Sequence, residues 1–152
     1  MTADLFFDSS ALSKHYHPEP ATPVVDALLA TAGRVHISRL TRVELHSVFA
    51  KKVRTGAISS ADLRLLLTRF RADIRAKRFA VARLTVGRFD DAERLIERVG
   101  PSQNLRTLDA IQLAAALHLC TPTTPVTFVS ADIALCAVAA LEGLAVVNPE
   151  QP

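Results

Sequence analysis

Four acidic residues stand at comparable places along this chain: Asp8, Glu44, Asp109 and Asp132. Asp8 ends the apolar run "DLFF". Glu44 follows "VHIS" and opens a helical pattern. Asp109 lies in the first turn of a helix that begins near Thr107. Asp132 does the same directly after "VTFVS". Each of the last three has an ordinary explanation. "TRVE" reads as a capping box, with Thr41 as cap and Glu44 reaching back to it. Acids at helix N-termini are favoured by the dipole, by roughly 0.3–1 kcal/mol each. Asp8, read as the end of a strand, has no such explanation. Two carboxylates about 4 Å apart repel by roughly 4 kcal/mol at an effective dielectric near 20. A cluster of four therefore requires a cation. Hard oxygen ligands suit Mg²⁺ (or Mn²⁺), and the chemistry that follows is hydrolysis of a phosphodiester by cation-activated water.

The elements that must position these acids are legible as alternation. Strands are expected at 4–7, 34–38, 126–130 and 144–148, with 79–84 as a short edge strand or an extended connection. None has a charged outer face, as expected of strands covered on both sides. Helices are expected over 21–32, from Arg42 to about Val53, and through Leu63, Leu66, Leu67, Phe70 and Ile74 with Ser59 or Ser60 as cap. Three more run from Thr85 to Val99, from Thr107 to about Leu119, and from Ala131 to Glu142, the last closed by Gly143. Strands separated by helices predict an α/β fold with a mostly parallel sheet. Its ligands gather beyond the carboxyl ends of the strands.

Composition narrows the class. The chain has 152 residues, enough for one domain spanning 1–152, and nearly half are apolar. "MTADLFFD" carries no basic leader, and "ALCAVAAL" is too short to span a membrane. Cys120 and Cys136 are not spaced as zinc ligands and read as buried free thiols of a reducing, cytoplasmic compartment. Lys and Arg exceed Asp and Glu by 18 to 15, a formal +3. Six basic residues against one acid between Arg64 and Arg78 form either a solvated face or an RNA track. Asp90, Asp91 and Glu93 read as a solvated face, with Asp90 pairing Arg94. There is no GxGxxG loop, no GxxxxGK and no GxSxG. A haloacid-dehalogenase-like phosphatase needs a second aspartate where Ser10 stands. A receiver domain needs a lysine that "LAVVNPE" lacks.

"FFDSSALSKHY", "SRLTRVEL", "LRTLDAIQLAAAL" and "FVSADIAL" together resemble the acidic motifs of PIN-domain ribonucleases, and more narrowly the VapC-type toxins of bacterial toxin–antitoxin pairs. The resemblance runs from about Leu5 to Val147. It implies a PIN-like three-layer α/β/α fold and a metal-dependent endoribonuclease, with Asp8, Glu44, Asp109 and Asp132 around Mg²⁺ or Mn²⁺. Asp132 matches the family's most variable acid. Ser10 and Ser130 are placed to hydrogen-bond into the site. The family further implies a homodimer, an RNA substrate and a small antitoxin through which operator DNA is bound. Lys14, Arg39, Arg42 and Arg106 are candidates to hold RNA phosphates, to offset the acids or to meet the antitoxin. The reading of a different class is a non-catalytic PIN-like module that binds RNA or protein.

Overall fold

Alternation along the first strand sets up the whole architecture. In the computed structural model of the chain, which describes residues 2–152, β1 (Asp4–Phe7) buries Leu5 and Phe7 on one face and Phe6 on the other. Met1 of the opening "MTADLFFD" lies outside the described residues. A strand apolar on both sides must be covered on both sides, so helices pack above and below it. Phe6 stacks on Phe128 with ring centroids 5.8 Å apart, in the core beneath one helical layer. Leu5 and Phe7 pack into the other core with Tyr16, Leu45, Phe49 and Phe70. Burying each such ring stabilises the fold by about 1.5–3 kcal/mol.

The remaining elements follow in chain order: α1 (Ser9–Tyr16), α2 (Thr22–Thr31), β2 (Val35–Ser38), α3 (Arg39–Arg54), α4 (Ser60–Arg75) and β3 (Ala80–Ala82). Then come α5 (Val86–Val99), α6 (Thr107–Leu119), β4 (Val126–Val129), α7 (Ile133–Leu141) and β5 (Ala145–Val147). The strands form one five-stranded sheet in the order β3-β2-β1-β4-β5, and every pairing is parallel. The chain works outward from β1 to β3, then returns to the other side of β1 with β4. The switch in direction therefore falls between β1 and β4, where a crevice opens at the carboxyl edge. Among the described residues, no helix is long and apolar enough to cross a membrane.

The alternation predicted from sequence is observed, with 79–84 supplying the edge strand β3, and three boundaries are corrected. First, α1 was not anticipated. Its eight residues include three serines and show no long apolar stripe, so propensity speaks against it. It forms because Ala11, Leu12 and Tyr16 are buried against the neighbouring helices, while Asp8 caps it through the Ala11 N–H at 3.2 Å. Second, α3 begins at Arg39, three residues before the expected start, with Ser38 rather than Thr41 as its cap. Glu44 thus sits in the second turn and takes no part in a capping box. Third, α7 begins at Ile133, so Asp132 is its cap and accepts from the Leu135 N–H at 3.0 Å. Elsewhere the expected devices are present. Ser59 and Asp62 cap α4 reciprocally, and Gly143 (φ 90°) turns the chain from α7 into β5.

Candidate functional site

Asp8 lies at the end of β1, 5% exposed, beside the switch point. Two hydroxyls hold its carboxylate. Ser10 donates to Oδ1 at 2.7 Å, and Ser130, just beyond β4, donates to Oδ2 at 2.9 Å. The same hydroxyls accept backbone N–H groups from the loop after β4. Ala131 donates to Ser10 at 3.0 Å and Asp132 to Ser130 at 3.1 Å. Two serines therefore tie the carboxyl ends of the two central strands together around one acid. Burial pushes Asp8 up from an ordinary 3.8 to about 6. The bonds from Ser10, Ala11 and Ser130 oppose the rise, and the charge of Glu44 adds to it.

Glu44 reaches the same edge from the other side. Its carboxylate is also held above the usual range, by burial first and also by the charge of Asp109. Hydrogen bonds from Gln112 and Ser9 work against that shift, as does the positive charge of Arg106. Asp109 accepts from Arg106 Nε at 2.8 Å, and Asp132 accepts from Arg106 Nη2 at 3.2 Å. The four acids are thus linked in series. Asp8 and Glu44 repel, Glu44 and Asp109 repel, and one exposed guanidinium bridges Asp109 to Asp132. Among the described residues, no three carboxylates are already drawn into a tight cage.

Sequence reasoning missed Gln112 and Ser9. Gln112 is fully buried on α6, one turn after Asp109. It accepts from Ser38 Oγ at 2.7 Å and donates from Nε2 to Thr41 Oγ1 at 2.9 Å and to Glu44. This amide joins α6 to the β2–α3 turn and aims Glu44. The signal was present as a lone amide in the apolar run "AIQLAAAL", three residues after an acid and hence on the same helix face.

The basic candidates separate. Arg106 is on the acids. Arg39 and Arg42 lie in the first turn of α3, and among the described residues neither forms an ion pair. Lys14 is corrected: its ammonium is buried and engaged by Glu19 and Glu150, so it offers no free charge at the edge. The cysteines are free but only half-buried, and Cys136 donates to the Ser130 carbonyl at 3.3 Å. On α5 it is Asp91, not Asp90, that pairs with Arg94, and it pairs with Arg88 as well.

A doubly wound, all-parallel α/β chain with an acidic crevice at its switch point defines a class of protein. Within that class, the chain belongs to the PIN domain family, whose sequence pattern matches residues 5–141. Comparison with curated proteins returns no significant sequence match. Solved structures share the fold. FitAcB from Neisseria gonorrhoeae superposes with a TM-score of 0.66 at 20% identity, covering 97% of this chain and 99% of that one. VapC20 from Mycobacterium tuberculosis, described as a sarcin–ricin loop cleaving toxin, gives 0.66 at 15% identity, covering 95% and 97%. VapBC2 from Rickettsia felis, bound to a DNA fragment from its promoter, gives 0.61 at 13% identity, covering 95% and 97%.

Proposed function

We propose that residues 1–152 form one PIN domain acting as a VapC-type endoribonuclease toxin that hydrolyses RNA phosphodiester bonds. The observation that carries this reading is Asp8, a buried acid at the switch point, clamped by two hydroxyls and set against a second buried acid. Holding such a pair beside Asp109 and Asp132 without a cation is costly, and the donor set is entirely hard oxygen. It fits Mg²⁺ or Mn²⁺, each of which keeps several waters and takes one or two carboxylates. Asp8, Glu44, Asp109 and Asp132 would hold the ion, with Asp132 at the rim. When bound, such an ion lowers the pKa of water and neutralises charge on a phosphate. The chain's own residues have separate tasks. Ser10 and Ser130 fix the Asp8 carboxylate, Gln112 and Ser9 orient Glu44, and Arg106 offers a guanidinium at the rim that can turn to an RNA phosphate. Arg39 and Arg42 extend that positive rim.

The toxin reading also draws support from the neighbours. One is described as cleaving a ribosomal RNA loop, and another is bound with its partner to promoter DNA. By that likeness the partners are a small antitoxin, operator DNA bound through it, and a second copy of the chain, all in the cytoplasm. Val43 and Leu108, each adjacent in sequence to a candidate ligand, are exposed and supply apolar surface for a protein partner.

The test is cleavage of RNA by the purified chain, free of antitoxin, with Mg²⁺ or Mn²⁺ and with EDTA. Cleavage is expected with the ion and none with chelator, and Asp109→Ala is expected to lose it. Activity surviving both chelation and Asp109→Ala would sink the metal site. Tight RNA binding without any cleavage would turn the reading to the non-catalytic module.

Arg106 gives a second expectation. An exposed ion pair stabilises the fold by about 1 kcal/mol or less, so Arg106→Gln is expected to melt close to wild type. Asp109 and Asp132 would then be freed for a cation, and Mn²⁺ affinity, read by electron paramagnetic resonance, should rise by about fivefold. A fall in affinity would mean that Arg106 positions the two acids rather than competing for them.

A further inference from the structure

A second polar pocket lies between the start of α5 and the last turn of α6, away from the four acids. Asp109 and His118 sit at opposite ends of α6, nine residues apart, or on the order of 14 Å along the axis. The pocket has a volume of about 210 Å³ and is lined by Arg83, Thr85, Arg88 and His118 over an apolar floor that includes Ala115 and Leu119. No carboxylate lines it.

Arg88 is the anomaly. Its side chain is only 15% exposed, and its Nη2 reaches Asp91 at 3.2 Å. Its Nε and Nη1 are buried with no hydrogen-bond partner. A guanidinium always carries its charge and has only donors, so buried N–H groups without acceptors are strongly unfavourable. Asp91 does little to relieve this, since its other oxygen is held by Arg94 at 2.8 Å. Thr85 adds to the same imbalance: it caps α5, but its side chain makes no capping bond, so the first N–H groups of the helix face the pocket's mouth uncapped. Arg83 is exposed at the rim, and His118 contributes a ring N–H. Donors converge from three directions on a space several waters wide, and acceptors are lacking. An oxyanion with several acceptor atoms and more than one charge meets that demand better than a single water.

We propose that this pocket binds a phosphate group, with Arg88 as the buried donor and Arg83 and His118 closing over it. The group may belong to a free phosphate or nucleotide, or to the backbone of a bound RNA. The chemistry of capture is the same. The site does not depend on cleavage, so it can be judged whether or not the chain proves to be a nuclease.

The experiment follows the Arg88 Nε–H signal in ¹⁵N–¹H spectra of the full chain, with EDTA present so that no cation recruits phosphate to the acids. Inorganic phosphate is expected to shift that signal saturably at millimolar concentration. Arg83→Met, at an exposed position, is expected to weaken binding by about tenfold while melting as wild type does, the loss of one charge-assisted bond. Arg88→Lys, which keeps the charge but not the planar donors, should bind more weakly still. A second arm adds a short RNA without terminal phosphates to the Asp8→Asn chain. Displacement of inorganic phosphate by that RNA assigns the pocket to the backbone, and phosphate binding without displacement assigns it to a free anion. An Arg88 signal unmoved by both probes in a folded chain overturns the proposal and leaves the pocket to water.

Discussion

Asp8→Asn is expected to lose detectable RNA cleavage and, in the absence of divalent cations, to melt higher than wild type at pH 7. Both effects have one origin. In the folded chain the Asp8 carboxyl titrates at about 6 rather than 3.8, because burial outweighs the bonds from Ser10, Ala11 and Ser130. Between those values the native state keeps a proton that the unfolded chain has released, so stability falls as pH rises. The contribution is fully present below about 3.8 and gone above about 6. It amounts to roughly 3 kcal/mol at most, or about 5–10 °C in a chain of this size. Asparagine cannot ionise, yet it still caps α1 and accepts from Ala11. Its unfolding free energy should therefore lose most of the downward slope between pH 4 and 6. Added Mn²⁺ reverses the comparison, raising the melting temperature of wild type but scarcely that of Asp8→Asn, because the ion binds the folded state through the ionised acid. Urea denaturation across this pH range, with and without Mn²⁺, measures both. A variant less stable than wild type at pH 7 would show that Asp8 is ionised there without strain.

Replacing Gln112 by leucine is expected to destabilise the chain by about 2–4 kcal/mol, even though the volume is nearly conserved. The cost is polar. Ser38, Thr41 and Glu44 each lose the partner that this amide supplies, and Ser38 and Thr41 are fully buried. Glu44 would also lose the bond that most opposes the rise in its pKa, so it should stay protonated to a higher pH. Cleavage by Gln112→Leu is accordingly expected to shift its pH dependence upward as well as to fall. Equilibrium unfolding of Gln112→Leu, Glu44→Gln and the double variant gives the coupling directly. A coupling near zero would mean that water takes over the role of the amide.

The layout of the sheet was largely legible before the structure. Apolar runs without a charged face announced buried parallel strands, and the intervening helical patterns announced the layers above and below. Boundaries were misread where a cap and a first turn compete for the same residues. "SRLT" offers both Ser38 and Thr41 as caps, and the strand pairing of Ser38 with Ala82 brings the helix in at the earlier one. The helix α1 was illegible because its stability comes from tertiary burial of Ala11, Leu12 and Tyr16 and not from propensity.

At the candidate site, the sequence by itself placed three acids at strand ends and a fourth at a helix start, because strand ends and helix starts are local patterns. It also singled out the two serines that hold Asp8. What it assigned to Asp8 was only half the role, since this acid caps α1 as well as closing β1. Only the tertiary structure decided which of these groups meet. The parallel return of β4 beside β1 brings Ser130 to Asp8 across 122 residues, and the packing of α6 brings Gln112 to Glu44 across 68. The same packing turns Arg106 onto two acids while Lys14 is drawn into the interior with Glu19 and Glu150. Local periodicity encodes where a side chain stands on its own element. Its partners, its burial and hence its pKa are set by elements far away in the chain.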